Sequence, residues 1–439
     1  MAKKRHYVSK KIIVMLLLLF FVLGSFLYVY YFRRELLLWI IVSLKPEKPA
    51  VSFSQLQKSH FSNIGEIEKA NWVRIFTLWN DIEREKGKYD FSFLDLLVKH
   101  FQKDNRVLLI TIMPYAKWDQ DTCHDEKYLA EFPTPRGKAR IKVGKPCDMN
   151  AYRSFLRALV ERYDGDGKDD MPGLRYPIKH WEIINEPSMQ GIGEFDLKFF
   201  YGTPEEYLEI LKVSYQAIKQ ADPEAVVLMG GMAGMHKEAV EFWDKIMDEA
   251  KNYFDVANIH SISTTGERED LYLIKFKEFL RRHGVDKPIW ITEAQYGELF
   301  KPPKDLASVE KLMVRSTVFA FANGAEKIFH IGNWYEFWKS KSTQKVYETL
   351  VNKLDYFDSV EIIRQECEET YEGVRVVVGQ YKFTIGNRTV YVLWGEAPLP
   401  QELQGKLLKV TNIYGESKII KSTEVKLSDS PIYIEIVGG

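Results

Sequence analysis

Cysteine is scarce in this chain: three residues, Cys123, Cys147 and Cys367, among 439. No two of them stand at C-x-x-C spacing, which excludes the common zinc-ribbon and thioredoxin-type sites. Net charge is missing altogether, because Lys+Arg and Asp+Glu each number 61. Nothing therefore marks a polyanion partner, and no nucleic acid binding is expected. There is no glycine-rich phosphate cradle and no histidine pair at zinc spacing. Asp164-Gly165-Asp166-Gly167-Lys168-Asp169-Asp170 invites a calcium reading. It fails, because Lys168 and Arg175 fall where an EF-hand loop needs ligands. It reads as a solvated turn. No metal and no organic cofactor is expected. Internal repeats beyond a strand–helix alternation are also absent, as are low-complexity tracts.

What is present begins with a long apolar run. Ile12 to Phe32 carries no charge and is long enough to cross a bilayer of ~30 Å as a helix. Lys3, Lys4, Arg5, Lys10 and Lys11 precede it. The positive-inside rule then keeps residues 1–11 in the cytoplasm and the large C-terminal part outside. Arg33 and Arg34 weaken that bias without removing it. The competing reading is a cleaved signal peptide and a secreted protein. Against it, the bulky Tyr28, Tyr30 and Tyr31 stand where a small-residue cleavage site belongs. Residues 33–49 form a juxtamembrane linker whose second apolar run, Leu36 to Leu44, is too short to span. It lies on the membrane surface or packs on the domain. An exported domain sits where disulfides persist. Cys123 and Cys147 flank one long loop and are a disulfide candidate, with unpaired thiols as the alternative.

From residue 50 to 358, short β-branched runs alternate with amphipathic helical runs, the pattern of a parallel sheet with crossover helices. The strands read Trp72–Trp79, Val107–Tyr115, His180–Asn185, Ala225–Gly230, Phe254–Ser261, Pro288–Glu293 and Lys327–Gly332. A first strand is hard to find, and Ala50–Phe53 is the only candidate. With it the pattern fits a (β/α)8 barrel. Thr203-Pro204-Glu205-Glu206 reads as a helix start with a capping box. Asn323-Gly324 reads as a helix stop. The stretch Ala116 to Asp148 is long for a loop and reads as a lid or binding loop. Residues 359–439 read as a small all-β, sandwich-like domain, with strands Gly373–Gly379, Gln380–Ile385, Arg388–Trp394, Lys406–Val410 and Pro431–Ile436. Gly386-Asn387 makes a hairpin turn among them.

Two of the barrel strands end in glutamate: Trp181-Glu182-Ile183-Ile184-Asn185-Glu186-Pro187 and Pro288-Ile289-Trp290-Ile291-Thr292-Glu293. Catalytic residues of such barrels sit at the C-terminal ends of strands, and two carboxylates are what glycosidic cleavage needs. Strand alternation puts Ile289, Ile291 and Glu293 on one side, so an inward Glu293 leaves Trp290 and Thr292 for the helix layer.

These motifs resemble the clan A glycoside hydrolases, and family 39-like members in particular, with family 5 as the second choice. The resemblance extends to Trp79-Asn80-Asp81-Ile82-Glu83, Gly87-Lys88-Tyr89-Asp90-Phe91-Ser92, Arg162-Tyr163-Asp164-Gly165-Asp166-Gly167, Tyr391-Val392-Leu393-Trp394 and Pro431-Ile432-Tyr433-Ile434-Glu435. It covers most of Ala70 to Gly439. It implies a retaining enzyme in which Glu186 is the acid/base and Glu293 the nucleophile. It implies that Asn185 meets the sugar 2-hydroxyl and that Arg74 holds the nucleophile ionised, with an ion pair to Glu182 as the structural alternative. His260 orients Glu293 or substrate, and Trp334 is the sugar platform. Trp79, Trp118 and Trp338 are weaker platform candidates. The expected partner is an extracellular β-linked oligo- or polysaccharide, handled at the cell membrane. The rival readings are a non-catalytic carbohydrate-binding barrel and a scaffold for polysaccharide export.

Overall fold

The computed structural model describes residues 34–62, 69–189, 198–263, 268–296, 303–331, 336–370 and 373–438. The apolar run 12–32 and Trp334 lie outside them. Among the described residues, no helix is long and apolar enough to cross a membrane.

The strands β1 (Trp72–Leu78), β2 (Val107–Met113), β5 (His180–Ile183) and β6 (Val226–Leu228) form one parallel sheet in that order. The strands β7 (Ala257–Ser263), β8 (Ile289–Tyr296) and β9 (Ala325–His330) form a second. Parallel bridges Leu228–Val256 and Met232–Ile259 join the two sheets on one side. On the other side, Phe61 bridges Ile328 of β9 and Ser62 bridges Trp72 of β1. Parallel pairing thus passes from each strand to the next and returns. Helices Ser92–Gln102, Met149–Glu161, Pro204–Ala221, Lys237–Asp244, Leu273–Arg282, Leu306–Ala322 and Lys341–Leu354 alternate with the strands. The capping box forms as the sequence predicts: Glu206 N–H donates to Thr203 Oγ1 at 3.2 Å, and Thr203 N–H to the Glu206 carboxylate at 2.8 Å.

The first strand is not where the sequence places it. Phe53–Gln57 is a helix, because the Ser52 hydroxyl accepts from Gln55 N–H and caps it. A serine before a short apolar stretch is a helix-start signal that outweighs one Val and one Phe. The pairing segment is 61–62 instead. The short helix plugs the N-terminal end of the strands: Leu56 packs with Trp72, Leu109, Leu228, Trp290 and Phe329. Trp290 therefore faces the strands' enclosed side and not the helix layer. Its neighbours Ile289 and Ile291 are the ones that meet the helices.

The stretch from Ala116 to Asp148 is no open lid. It holds a short helix, Lys117–Gln120, and an antiparallel hairpin, β3 (Leu129–Thr134) and β4 (Gly137–Lys142). Phe132, Ile141 and Val143 are buried in the main core. Cys123 and Cys147 are bonded, closing a loop with sequence separation 24. Replacing both with serine is expected to lower the unfolding free energy by about 3 kcal/mol through the larger entropy of the unfolded chain. Urea titration of the variant and the wild type measures that difference.

The helix Arg34–Leu44 lies against Ser92–Gln102. Lys103 Nζ donates to Val42 O at 2.6 Å and Lys45 O at 2.9 Å, and Val42 is buried. At the other end, Glu35 pairs with Arg136 of the hairpin tip, whose guanidinium also lies 3.8 Å from Asp81, just past β1. The helix therefore runs along the side of the parallel-strand domain, with its N-terminal end beside the C-terminal end of β1. Leu36, Trp39, Ile40, Ile41 and Leu44 point away from the protein and are exposed.

After residue 358 the chain forms one six-stranded antiparallel sheet and not two packed layers. Its order is β10 (Ser359–Glu369), β11 (Val374–Ile385), β12 (Arg388–Trp394), β15 (Ile432–Ile436), β13 (Leu407–Asn412) and β14 (Ser417–Lys421). The stretches Gly373–Gly379 and Gln380–Ile385 merge into one long strand. Val376, Tyr381, Phe383, Val390 and Trp394 join the main core. This face needs no second sheet, because the helix layer covers it. The other face closes over its own loops with Tyr391, Leu393, Leu403 and Leu408.

Candidate active site

The site begins with a charge buried in an apolar strand. In β5, Trp181 and Ile183 face the helices, so period-2 alternation turns His180 and Glu182 inward. Glu182 is fully buried, and an isolated carboxylate there is costly. Its partners offset that cost. Arg74 Nε donates to Oε2 at 2.6 Å and Thr111 Oγ1 to the same oxygen at 2.6 Å. Asn258 Nδ2 donates to Oε1 at 2.8 Å and Gly231 N–H at 3.3 Å.

Arg74, inward from β1, is the hub. Besides Glu182 it reaches Glu293 Oε1 through Nη1 at 2.6 Å and Asn185 Oδ1 through Nη2 at 2.7 Å. Arg74 contacts both carboxylates that the sequence offered it: it is ion-paired to Glu182 and to Glu293. The two carboxylates differ in access. The Glu293 side chain is 16% exposed and that of Glu182 is 0% exposed. Glu293 is open to a ligand and Glu182 is not. Because Arg74 holds the Asn185 oxygen, the amide nitrogen of Asn185 points the other way.

Glu293 reaches the same side as Trp290 because β8 bulges. Ile259 pairs with Ile291, but the next residue, His260, pairs with Glu293, leaving Thr292 as the extra residue. A bulge breaks the alternation, so consecutive side chains serve one face. The sequence expectation had Thr292 in the helix layer. Instead its hydroxyl bonds inside the site, to Asn258 Oδ1 at 2.8 Å and His260 Nε2 at 2.9 Å.

Glu186 is set by strain. Ile184 has φ 65° and Glu186 φ 39°, a left-handed region that a β-branched residue rarely enters. Such strain persists only where the surroundings over-determine it. Here Ile184 N–H donates to Ile112 O at 3.0 Å. The Tyr207 hydroxyl donates to Ile183 O at 3.2 Å and accepts from Gly230 N–H at 2.8 Å. A Cβ on Gly230 would lie 2.7 Å from Ile183 O, so only glycine lets the turn close there. The strained turn aims Glu186 Oε1 at His260 Nδ1, 2.7 Å away. His260 thus pairs with Glu186 first, and Glu293 Oε2 lies further off at 3.7 Å.

One oxygen of Glu186, one of Glu293 and a ring nitrogen of His260 all lie within 4.8 Å of one another. Burial pushes the Glu186 carboxyl above its ordinary value, with His260 opposing. Burial acts the same way on Glu293, but His260 and Arg74 outweigh it and hold Glu293 below the ordinary value. Two carboxyls side by side are thereby driven apart, one toward acid and one toward anion. The trio has the atom types of a metal site, yet the guanidinium on Glu293 already supplies the local cation. Asp164, Asp166 and Asp170 also cluster. Asp164 and Asp170 are engaged by the turn's own backbone, at Asp166 N–H and at Gly165 and Gly167 N–H.

The tryptophans fare differently. Trp79 is fully buried, stacked on Phe155, with its indole N–H on Glu83 at 2.6 Å. It is a core residue and no sugar platform. Trp118 packs edge-on against Trp79 and donates its indole N–H to Glu83 O at 2.9 Å. Trp338 is buried against Tyr347. Aromatic residues near strand ends read as platforms only until the helix that follows them is seen to cover them. Thr111, Asn258, Gly231 and Thr292 are the site residues that sequence reasoning missed. The one available signal was a polar residue inside an apolar strand, visible at Thr111 and Asn258.

Gly231 carries a prediction. A Cβ there would stand 2.1 Å from His260 Nε2, so Gly231→Ala must displace the ring. A misplacement of this size costs about 10²-fold in the kcat of an enzyme that uses the ring; steady-state kinetics on a glycoside, under the function proposed below, checks it.

No protein-family model and no curated protein matches the sequence. Solved structures do match in fold. A family 39 glycoside hydrolase from Bacteroides cellulosilyticus WH2 aligns at TM-score 0.57 and 15% identity, over 86% of this chain and 80% of the other. A family 44 xyloglucanase from Paenibacillus polymyxa aligns at 0.54 and 10%, over 89% and 97%. A monomeric beta-xylosidase from Caulobacter crescentus CB15 aligns at 0.52 and 12%, over 84% and 90%. At these identities the likeness is one of fold alone.

Proposed function

We propose that this protein is a retaining glycoside hydrolase that cleaves β-linked polysaccharide on a closed (β/α)8 barrel. One observation carries the reading: oxygens of Glu186 and Glu293 lie within 4.8 Å of each other, with Arg74 on Glu293 and His260 on Glu186. Retaining enzymes keep their carboxyls ~5–5.5 Å apart, whereas inverting ones need ~6.5–9.5 Å to admit water.

In the first step, Glu293 attacks the anomeric carbon while Glu186 gives its proton to the departing glycosidic oxygen. The carbon–oxygen bond breaks as the glycosyl ester of Glu293 forms. With the Glu293 charge consumed, Glu186 takes a proton from water. The resulting hydroxide oxygen attacks the same carbon and frees Glu293. Asn185, its oxygen fixed by Arg74, offers its amide N–H to the sugar. Structural neighbours named as a xyloglucanase and a beta-xylosidase support a β-linked glycan as substrate.

Tethering to the cell membrane belongs to the same reading. It is supported by the uncharged run from Ile12 to Phe32 and by the exposed apolar face of Arg34–Leu44. That helix starts beside the C-terminal end of β1, the end of the strands that carries Glu186 and Glu293.

The test uses the full chain in detergent with a panel of 2-deoxy-2-fluoro β-glycosides bearing a good leaving group. A trapped glycosyl ester located on Glu293 by peptide mass spectrometry is the expected result. If no sugar in a broad panel is turned over and no ester forms, the protein is a binding barrel or scaffold.

A further inference from the structure

The hydrogen-bond chain behind His260 admits only one arrangement of protons. Asn258 can be oriented from both of its ends. Its amide nitrogen faces two acceptors, Glu182 Oε1 at 2.8 Å and Met229 O at 3.5 Å. Its amide oxygen faces a donor, the Thr292 backbone N–H at 3.3 Å. A flip would set the amide oxygen against two acceptors and its NH2 against an N–H, so the orientation is fixed. Asn258 Oδ1 is then an acceptor, and the Thr292 hydroxyl 2.8 Å away must donate to it. That hydroxyl has one proton. What it offers His260 Nε2, at 2.9 Å, is therefore a lone pair, and Nε2 must carry a hydrogen. The remaining nitrogen, Nδ1, is the one facing Glu186 Oε1 at 2.7 Å.

We propose that Asn258 and Thr292 are positioning residues that lock His260 in the Nε2–H form, so that Nδ1 takes and returns the proton of Glu186. The consequence for catalysis rests on the retaining-hydrolase reading; the tautomer does not. The opposite neutral tautomer would present Nδ1–H to Glu186. It would donate to the carboxylate, favour the ionised form and empty the acid before substrate arrives. With Nδ1 as acceptor, the resting pair holds one proton, on Glu186 Oε1 or on Nδ1. Protonation of the leaving group then draws on this pair, and the proton taken from water restores it. Among the described residues, the other charged groups facing the pair are Glu182 from β5, Glu293 from β8 and Arg74 from β1. Glu182 Oε1 lies 3.9 Å from Nε2, and Glu293 Oε2 lies 3.7 Å from Nδ1. Burial opposes charge on His260, while Glu293 and Glu186 more than offset it and raise its affinity for the proton. Nδ1 can therefore accept that proton.

The experiment is a two-bond proton–nitrogen correlation spectrum of the full chain labelled with ¹⁵N-histidine, with His260 assigned by the loss of its signals in His260→Gln. The expected result is a protonated Nε2 near pH 7, whether or not Nδ1 also carries a proton. A bare Nε2 beside a protonated Nδ1 overturns the inference. Two variants test the positioning role. Thr292→Val removes the acceptor, and Asn258→Ala frees the Thr292 hydroxyl to donate to Nε2. Each is expected to populate the Nδ1–H form and to move the alkaline limb of kcat/KM down by about one pH unit. Thr292→Ser keeps the hydroxyl and is expected to keep both the tautomer and the profile. If both variants leave tautomer and profile as in the wild type, the positioning role is wrong. Should no glycoside be turned over at all, the functional reading fails while the spectrum still decides the tautomer.

Discussion

Glu293→Gln is expected to lower kcat by on the order of 10⁴-fold or more, the loss typical when a covalent nucleophile is removed. An amide cannot form the glycosyl ester, and no neighbour can replace it. Among the described residues, the other carboxylate that Arg74 contacts is Glu182, and its side chain is fully buried. Substrate binding is expected to survive, because a glutamine fills the same volume. Glu186→Gln is the informative contrast. Its first step should depend steeply on the leaving group, since a dinitrophenolate departs without a proton while a sugar alkoxide does not. Parallel kinetics with aryl glycosides of differing leaving-group acidity separates the two roles. If both variants respond alike to the leaving group, the roles assigned to Glu186 and Glu293 are wrong.

Arg74→Met is expected to destabilise the fold by about 3–5 kcal/mol, the range for stranding a buried charge by removing its partner. Two carboxylates lose the same cation, and the side chain of Glu182 has no exposure with which to recruit water. The pH dependence has a definite sign. Arg74 helps hold the folded-state Glu293 below its ordinary value. That contribution to stability is present above the unfolded carboxyl's pKa and fades as pH falls through the folded one. Without Arg74 the Glu293 pKa rises, so the acid limb of the activity profile should move to higher pH. Denaturant titrations at acidic and neutral pH should show the variant's deficit shrinking toward acid. A variant as stable as the wild type at pH 7 would mean that the Glu182–Arg74–Glu293 network contributes nothing net.

The alternation of β and α elements was legible because each crossover helix carries its own apolar stripe and capping chemistry, as at Thr203. Both glutamates were legible because a carboxylate ending an apolar strand is too costly to be accidental. What escaped was whatever depended on register. The bulge at Thr292 inverts the faces that strict alternation assigns, and no residue pattern in Ile289–Glu293 announces it. It arises from how β8 pairs with β7. Segment 61–62 escaped because two residues have no periodicity to read. The tryptophans misled in the opposite direction. Trp79 sits at a strand end, but its indole N–H is satisfied by Glu83 within the same turn, and that draws it into the core.

The hub at Arg74 also fixes what kind of inhibitor the site prefers. One guanidinium sits among two carboxylates, Glu182 and Glu293, while Glu186 and His260 share a single proton and are neutral as a pair. The resting pocket thus holds one negative charge in excess, in a place shielded from water. A sugar mimic with a protonated ring nitrogen should outcompete its neutral oxygen counterpart, because charges ~4 Å apart interact with about 4 kcal/mol where the effective dielectric is ~20. The preference should shrink in Glu293→Gln, which removes one of the two carboxylates on Arg74. Cationic and neutral mimics of one sugar, compared on the wild type and on Glu293→Gln, would read that charge directly.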